Sequence, residues 1–388
     1  MITPAGVTIS PFKAVSLVFS YLFCSKSSDK FNIAFTDLVK SKKTWTYANG
    51  RDALFEGLKA VKSIKPDKDQ VLMPVYTCQT VLKSILSAGL TPVLYDIDSC
   101  TLGSSAAQIS PKINDNTLAV IAGGIFGISI NMQEIQDLTR EKNIYLIEDV
   151  AQCLGCTYEN KAIGSFGDIS IYSFGQSKPI AALGGGALTT KDNLITSAIS
   201  KDYDKLEHKG FFNNLKLILH LFISSIILKP FFFYLLTSFK NSFKPQHDRD
   251  MIRTKKMSEF NATIANAQIL NYNRTLETRK QNAKLIQEAI KNKEGIQCME
   301  FNMSGNNTYL RLPMICDDVE ARNKWIKKLK SIGLWASDLL YEPIYKHTKE
   351  SDASFPLLSS VKDKLIIIST HPFINEKDIN NLKQLRID

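Results

Sequence analysis

The 388 residues contain no disulfide framework, no zinc-finger spacing and no arginine stripe with interleaved aromatics. Seven cysteines, at 24, 78, 100, 153, 156, 298 and 316, are an odd number without regular spacing. That pattern excludes a small stapled secreted fold and suits a reducing cytoplasmic compartment. Cys153-Leu154-Gly155-Cys156 matches C-x-x-C but has no second pair to complete a zinc site, so structural thiols and no bound metal are expected. No RNA-recognition motif accompanies the net charge of +10, and nucleic acid is therefore not the expected partner. An anionic membrane surface or a polyanionic small substrate remains, since a positive field concentrates either one. Internal repeats and low-complexity linkers are also missing. The most apolar stretch, 211–239, is broken by Lys229-Pro230 and falls short of the ~20 uninterrupted residues that a spanning helix needs.

What is present is the composition of a folded chain, 44% hydrophobic and 22% charged, long enough for two unequal domains. Residues 11–24 form an apolar N-terminal stretch in which only Lys13 is charged; an almost uncharged n-region argues against a signal peptide and favours a surface-docking segment. Lysines 205, 209, 216, 229, 240 and 244 surround the 211–239 stretch. Two short helices lying on an anionic leaflet fit this pattern best. A buried dimer or core element and a re-entrant hairpin are the alternatives.

From Trp45 onward, short β-branched runs alternate with helical stretches, as a doubly wound α/β sheet requires. The spacing predicts helices over 50–64, 77–88, 132–141 and a long one over 257–291. It predicts strands over 70–74, 92–96, 118–122 and 144–147, followed by shorter elements at 309–314, 319–332, 365–369 and 376–385. Ligands in such sheets gather beyond the carboxyl ends of the strands, where Glu148-Asp149 falls. Lys178 and the run Gly184-Gly185-Gly186 come next. An amine, a carboxylate and backbone donors for a phosphate are the three things pyridoxal 5'-phosphate (PLP) needs from a protein.

Taken together, Ile147-Glu148-Asp149-Val150-Ala151-Gln152, Gly155, Gly164-Ser165-Phe166-Gly167-Asp168, Tyr172-Ser173-Phe174, Lys178 and the glycine run resemble the nucleotide-sugar aminotransferases of the DegT/StrS type. The resemblance runs from about Asn49 to the C-terminus and skips the insert at about 205–250. It implies PLP fold type I: a large domain over 44–255 with a mixed, mostly parallel seven-stranded sheet between helices. A long helix and a smaller C-terminal α+β domain over 256–388 would complete it, with 1–43 as a peripheral apolar segment. By the resemblance, Lys178 carries the cofactor as a Schiff base and moves protons, which requires its proton affinity to be lowered. Asp149 pairs with the pyridine nitrogen, and Gln152 contacts the ring region. Asn49-Gly50-Arg51-Asp52 resembles the phosphate-binding turn, in which Gly50 admits close approach, Arg51 reaches the phosphate and Asp52 points away. Ser173 is a further phosphate ligand.

Several positions depart from the family pattern. Cys78 stands where an aromatic stacks on the ring, leaving Tyr76 to supply that contact. Gly124 replaces a histidine, and Gly175-Gln176 replaces His-Pro. Thr254-Lys255-Lys256 replaces Asn-x-Arg near the partner subunit's site, so Lys256 offers charge without a bidentate fork. His371 lies in a C-terminal motif near the substrate, where a structural role is the competing reading. The resemblance implies a homodimeric aminotransferase that converts a keto group of a nucleotide-linked sugar to an amine with glutamate as donor. Such an enzyme feeds surface polysaccharide or lipopolysaccharide assembly, and the insert would hold it peripherally on the inner face of the cytoplasmic membrane. A PLP-dependent dehydratase or lyase, or a membrane-associated regulator without turnover, are the alternatives; the family's dehydratases carry histidine where this chain has Lys178.

Overall fold

The computed structural model describes residues 2, 9–23, 26–207, 210–227, 252–301 and 305–385. Two helices, α1 (Pro11–Phe23) and α2 (Ser27–Val39), precede β1 (Thr44–Tyr47) and α3 (Gly50–Ile64). Then follow β2 (Gln70–Pro74), α4 (Gln79–Ser87), β3 (Thr91–Tyr95), the short α5 (Ala106–Ile109), β4 (Thr117–Ala122), α6 (Met132–Glu141) and β5 (Tyr145–Asp149). A small hairpin, β6 (Thr157–Tyr158) and β7 (Lys161–Ala162), leads to β8 (Ile169–Ser173), β9 (Gly186–Thr190), α7 (Asn193–Tyr203) and α8 (Phe211–Ile227). One seven-stranded sheet takes the order β1-β9-β8-β5-β4-β2-β3. Only β9 runs against the other six, so the sheet is mixed and mostly parallel, as expected.

All six residues of β4 are buried, which is why its sequence, Thr-Leu-Ala-Val-Ile-Ala, shows no alternation: helices cover both faces of a central parallel strand. α3 forms where expected. Asn49 caps it by accepting from the Asp52 amide at 2.9 Å, and Ala53, Leu54, Leu58 and Val61 face the core.

The region 257–291 is two helices rather than one, α9 (Glu259–Ile269) and α10 (Tyr272–Ile290), separated at Leu270-Asn271. They serve different cores. α9 packs on α1, α2 and α8 beside the large sheet, whereas α10 turns its Ala283, Ile286 and Ile290 toward the C-terminal unit. That unit is a four-stranded antiparallel sheet ordered β10 (Ile296–Cys298), β12 (Arg311–Cys316), β14 (Leu365–Ser369) and β13 (Ala336–Ser337). Helices α11 (Val319–Ser331), α12 (Pro356–Val361) and α13 (Glu376–Gln384) accompany it.

Backbone amides help to join the units. The strand β11 (Gly305–Asn306) adds to β6, and the Gly127 carbonyl accepts from the amides of Thr308 and Tyr309 at 2.9 and 3.1 Å. The buried Asp96 carboxylate, just past β3, accepts from the amides of Leu357 and Leu358 at 2.7 and 3.1 Å, satisfying the open N-terminus of α12.

Of the 211–239 stretch, Phe211–Ile227 is a helix with Leu221 buried, and 228–239 lies outside the described residues. Among the described residues no helix is long and apolar enough to cross a membrane.

His371 is buried in the C-terminal unit, its Nδ1 accepting from the Phe373 amide at 3.2 Å. Burial, and then the Arg279 guanidinium, pushes its pKa down from 6.5 to about 3. Between those values the unfolded chain binds a proton that the folded chain refuses, so stability is complete above about pH 6.5 and declines as pH falls toward 3. In urea titrations over that window, His371→Asn should show a shallower decline than the parent.

Candidate active site

The glycine run explains how one corner of the site is built. β1 and β8 both end at the carboxyl edge of the sheet, with the start of β9 between them. A Cβ on Gly186 would lie 2.4 Å from the Gly50 nitrogen and 2.5 Å from the Asn49 carbonyl carbon. Glycine there lets the start of α3 lean across β9. On the far side, a Cβ on Gly50 would sit 2.9 Å from Ser173 Cβ. The free amides at the α3 N-terminus and the Ser173 hydroxyl therefore meet in a cradle that a side chain at either glycine would fill, which is a phosphate-binding arrangement. Arg51 is at this rim, and its Nε is buried without an acceptor, 3.8 Å from Asp52 Oδ1. Asp52 is itself buried beside the arginine.

Lys178 closes the turn after β8, its amide donating to the Gly175 carbonyl at 3.2 Å. A Cβ on Gly175 would lie 3.8 Å from both Ser173 Oγ and Lys178 Cγ, so the cradle and the lysine are contiguous. At the end of β5, Asp149 accepts from the Ala151 amide at 3.0 Å. Lys178 and Asp149 line one cleft with Tyr76, Cys78, Gln152 and Tyr341, enclosing about 480 Å³ partly open to solvent.

Glu148, the neighbour of Asp149, has a different task. It is buried and accepts from the amides of Gly164, Phe166 and Gly167 at 2.7, 2.6 and 2.5 Å, locking the 164–167 loop onto β5. Burial raises its pKa, against the pull of those three amides.

Burial pulls the Lys178 ammonium down, but Tyr341, Cys78 and Asp149 together outweigh it, and the net direction is upward. The expected lowering is thus not supplied by the side chains alone. Burial keeps the Tyr341 phenol neutral at pH 7. Arg311 works in the opposite direction and favours the neutral amine.

Tyr76 lines the cleft with its hydroxyl accepting from the Leu340 amide at 3.1 Å, and its ring meets Tyr341 at 6.3 Å and 64°. Cys78 also lines the cleft, at the N-cap of α4. The structure therefore assembles Gly50, Arg51, Tyr76, Cys78, Asp149, Gln152, Ser173 and Lys178 at one edge of the sheet. It does not bring in Lys256, whose ammonium lies 4.9 Å from the Tyr203 ring centre, or His371, which packs beneath Phe373. Cys153 and Cys156 are buried, bonding the carbonyls of Ile128 and Gly127 at 3.4 and 3.3 Å. Among the described residues no group of three or more His, Cys, Asp or Glu could hold a metal.

Two site residues escaped the sequence reading. Arg311 is the single charge in an otherwise apolar strand, a signal that was available. Tyr341 lies in the irregular 338–343 segment, with no local pattern to mark it.

The profile of the DegT/DnrJ/EryC1/StrS aminotransferase family matches residues 20–384. The chain belongs to that family. The match begins upstream of Asn49 and so takes in α2. Among curated relatives, the GDP-perosamine synthase of Vibrio cholerae is 33% identical over 170 residues, 44% of this chain and 46% of the relative. The UDP-N-acetyl-3-dehydro-alpha-D-glucosamine 3-aminotransferase of Acidithiobacillus ferrooxidans is 36% identical over 146 residues, 37% of this chain and 39% of the relative. The matched stretches span about half the length of these relatives or less. In fold, the chain is similar to Helicobacter pylori PseC, an aminotransferase of pseudaminic acid biosynthesis, with TM-score 0.79 and 16% identity over 99% of this chain and 97% of that one.

The cradle, the amine and the carboxylate fit pyridoxal phosphate. Gly50→Ala places a methyl 2.9 Å from Ser173 Cβ in that cradle. It should weaken PLP binding at least about tenfold by absorbance titration and, because the methyl forces Ser173 to shift, lower the melting temperature of the cofactor-free protein by a few degrees by calorimetry.

Proposed function

We propose that this protein is a PLP-dependent aminotransferase that converts a keto group of a nucleotide-linked sugar to an amine, with glutamate as donor, in surface polysaccharide or lipopolysaccharide assembly. The observation that carries the reading is the meeting of Lys178 and Asp149 in one cleft beside the Gly50–Ser173 cradle. When bound, PLP supplies an aldehyde that links to amines and a ring that takes up the electron pair left when a C–H bond breaks. Asp149 would hold the ring nitrogen protonated. The α3 amides, Ser173 and Arg51 would hold the phosphate. As a free amine, Lys178 Nζ would take the proton from the donor's α-carbon and give it to the cofactor's aldehyde carbon, serving as both base and acid. The nucleotide sugars in the relatives' names and the net charge of +10 both favour a nucleoside diphosphate sugar. The family resemblance further favours a homodimer. Lys256 would then serve the neighbouring subunit's site rather than its own.

Loading the protein with glutamate should shift the cofactor absorbance away from the visible edge, and the correct keto-sugar should restore it. Lys178→Ala should lack the original band altogether. A wild-type protein that binds PLP yet returns no band with any nucleotide keto-sugar would favour the lyase or regulator reading.

Membrane contact at the inner face of the cytoplasmic membrane is the second part of the proposal. α1 and α8 pack together, Asn214 Nδ2 donating to the Tyr21 hydroxyl at 3.0 Å. Phe12, Phe19, Leu22 and Phe23 of α1 are 57–86% exposed, and Leu215 and Leu219 of α8 are 55% and 62% exposed. Paired helices with outward apolar stripes beside lysines suit an anionic lipid surface. A variant combining Phe12→Ser, Phe19→Ser and Leu22→Ser should lose most of its cosedimentation with phosphatidylglycerol vesicles and keep its fold. Undiminished binding would remove α1 from the contact, and undiminished binding after deletion of 211–239 would remove α8.

A further inference from the structure

The C-x-x-C pair has no part in the chemistry described so far, yet its two thiols are set against each other behind the cleft wall. Cys153 and Cys156 are fully buried, and the Cys156 amide donates to the Cys153 carbonyl at 2.9 Å, closing a four-residue turn with Gly155 at φ 83°. A turn of this kind keeps its outer Cα atoms within about 7 Å, and a disulfide spans about 4.4–6.8 Å. The backbone therefore admits a bond between the two residues, and their thiols already hydrogen-bond each other.

The two thiols are not equivalent. Cys156 Sγ donates to the Gly127 carbonyl at 3.3 Å, which uses its one proton, so the Thr308 hydroxyl is the donor in their 3.4 Å contact. Burial alone would raise the Cys156 pKa, but the hydrogen bonds from Cys153 and Thr308, with Lys280 beyond them, outweigh it and the net direction is downward. Cys153 is pushed upward, first by its hydrogen bond to Cys156 and then by burial. Cys156 is thus the thiol that ionises, and the thiolate is the form that oxidants attack. Cys153 keeps its proton and waits as the second sulfur.

The pair lies between two openings. On one side Thr308 lines a narrow recess with Pro179, the residue after Lys178, and with Thr275, Leu276, Arg279 and Leu310. On the other side is the cleft: a Cβ on Gly124 would lie 2.8 Å from Cys153 Sγ, so a residue without a side chain separates that sulfur from the cleft. Gln152, which precedes Cys153, lines the cleft as well. The carbonyls that hold the sulfurs, Gly127 for Cys156 and Ile128 for Cys153, belong to the loop that presents Gly124 and Ile125 to the cleft. A bond between the sulfurs would draw both off those carbonyls and act on two stretches of the cleft wall together.

We propose that Cys153 and Cys156 form a peroxide-sensing pair whose disulfide loosens the cleft around the cofactor ring. The Cys156 thiolate attacks one oxygen of a hydroperoxide that enters by the recess; the O–O bond breaks, hydroxide leaves, and the sulfur becomes a sulfenic acid. Cys153 attacks that sulfur, the S–O bond breaks, and water leaves with the Cys153 proton. Two thiols thereby lose two electrons and two protons, and the peroxide becomes two waters. A thiol reductant reverses the bond, as a transient disulfide in a reducing compartment requires. The redox step stands by itself, whereas its effect on the cofactor rests on the aminotransferase reading.

The test uses full-length protein, with and without PLP, treated with hydrogen peroxide, alkylated after unfolding and mapped by peptide mass. The peptide joining Cys153 and Cys156 should become lighter by two hydrogens and regain them with dithiothreitol. PLP affinity, read by absorbance titration, should fall at least about tenfold on oxidation and recover on reduction. Cys153→Ala should leave a sulfenic acid on Cys156 that dimedone traps, and Cys156→Ala should leave Cys153 as a thiol. The double variant Cys153→Ala/Cys156→Ala should bind PLP with or without peroxide treatment. Exposed Cys100 is the internal standard. If Cys100 is oxidised while Cys153 and Cys156 are both recovered as thiols, the pair is structural and the proposal is overturned. A disulfide that leaves PLP affinity unchanged would overturn the link to the cleft, and a loss that persists in the double variant would shift the sensitivity to Cys78 and overturn it equally. Failure of untreated wild type to bind PLP would sink the aminotransferase reading, while the mass map would still report on the pair.

Discussion

A single buried carboxylate sets the geometry of this site without touching a substrate. Glu148 gathers three backbone amides from the 164–167 loop, and that loop leads directly into β8. The parallel pairing of β5 with β8 places Asp149 opposite Ile171, so the ends of the two strands rise together. Asp149 is thereby fixed at one wall, and the turn carrying Lys178 is fixed at the other. A carboxylate in that position costs desolvation, and only a full set of donors makes it tolerable. The acidic pair is divided by strand alternation: one side chain turns inward to hold the scaffold, and the next turns to the cleft.

Much of this was legible because it is local. Helix α3 follows from an asparagine cap and a periodic apolar face, and β4 and β5 follow from apolar runs of strand length. The order of Asp149, Ser173 and Lys178 is likewise a property of one continuous segment. What the sequence concealed is set by contacts between distant segments. The 257–291 region has helical composition throughout, yet two cores compete for it and it breaks at Leu270-Asn271. Tyr341 enters the cleft because the Leu340 amide is pinned by the Tyr76 hydroxyl, 264 residues away in sequence. His371 was selected by motif position, and its packing against Phe373 engages it within the C-terminal unit.

Charge is distributed unevenly around the cleft, and this bears on how the lysine works. Asp149 favours the protonated amine, whereas Arg311 disfavours it. The balance between them leaves the amine responsive to whatever charged group enters. A site whose own side chains settled that balance completely would gain little from its ligands. The departures from the family pattern at Cys78 and Gly124 both line this same space, while the phosphate cradle keeps its glycine and hydroxyl.

The cradle also constrains how this protein can vary. Gly50, Gly186 and Ser173 come from three segments, and the first two are within van der Waals contact only because neither has a side chain. None of the three can enlarge without displacing another, so drift at one position has to be matched at its neighbours or reversed. In a laboratory selection these positions should behave as one inherited unit, changing jointly or not at all, although well over a hundred residues separate the ends of the set in sequence.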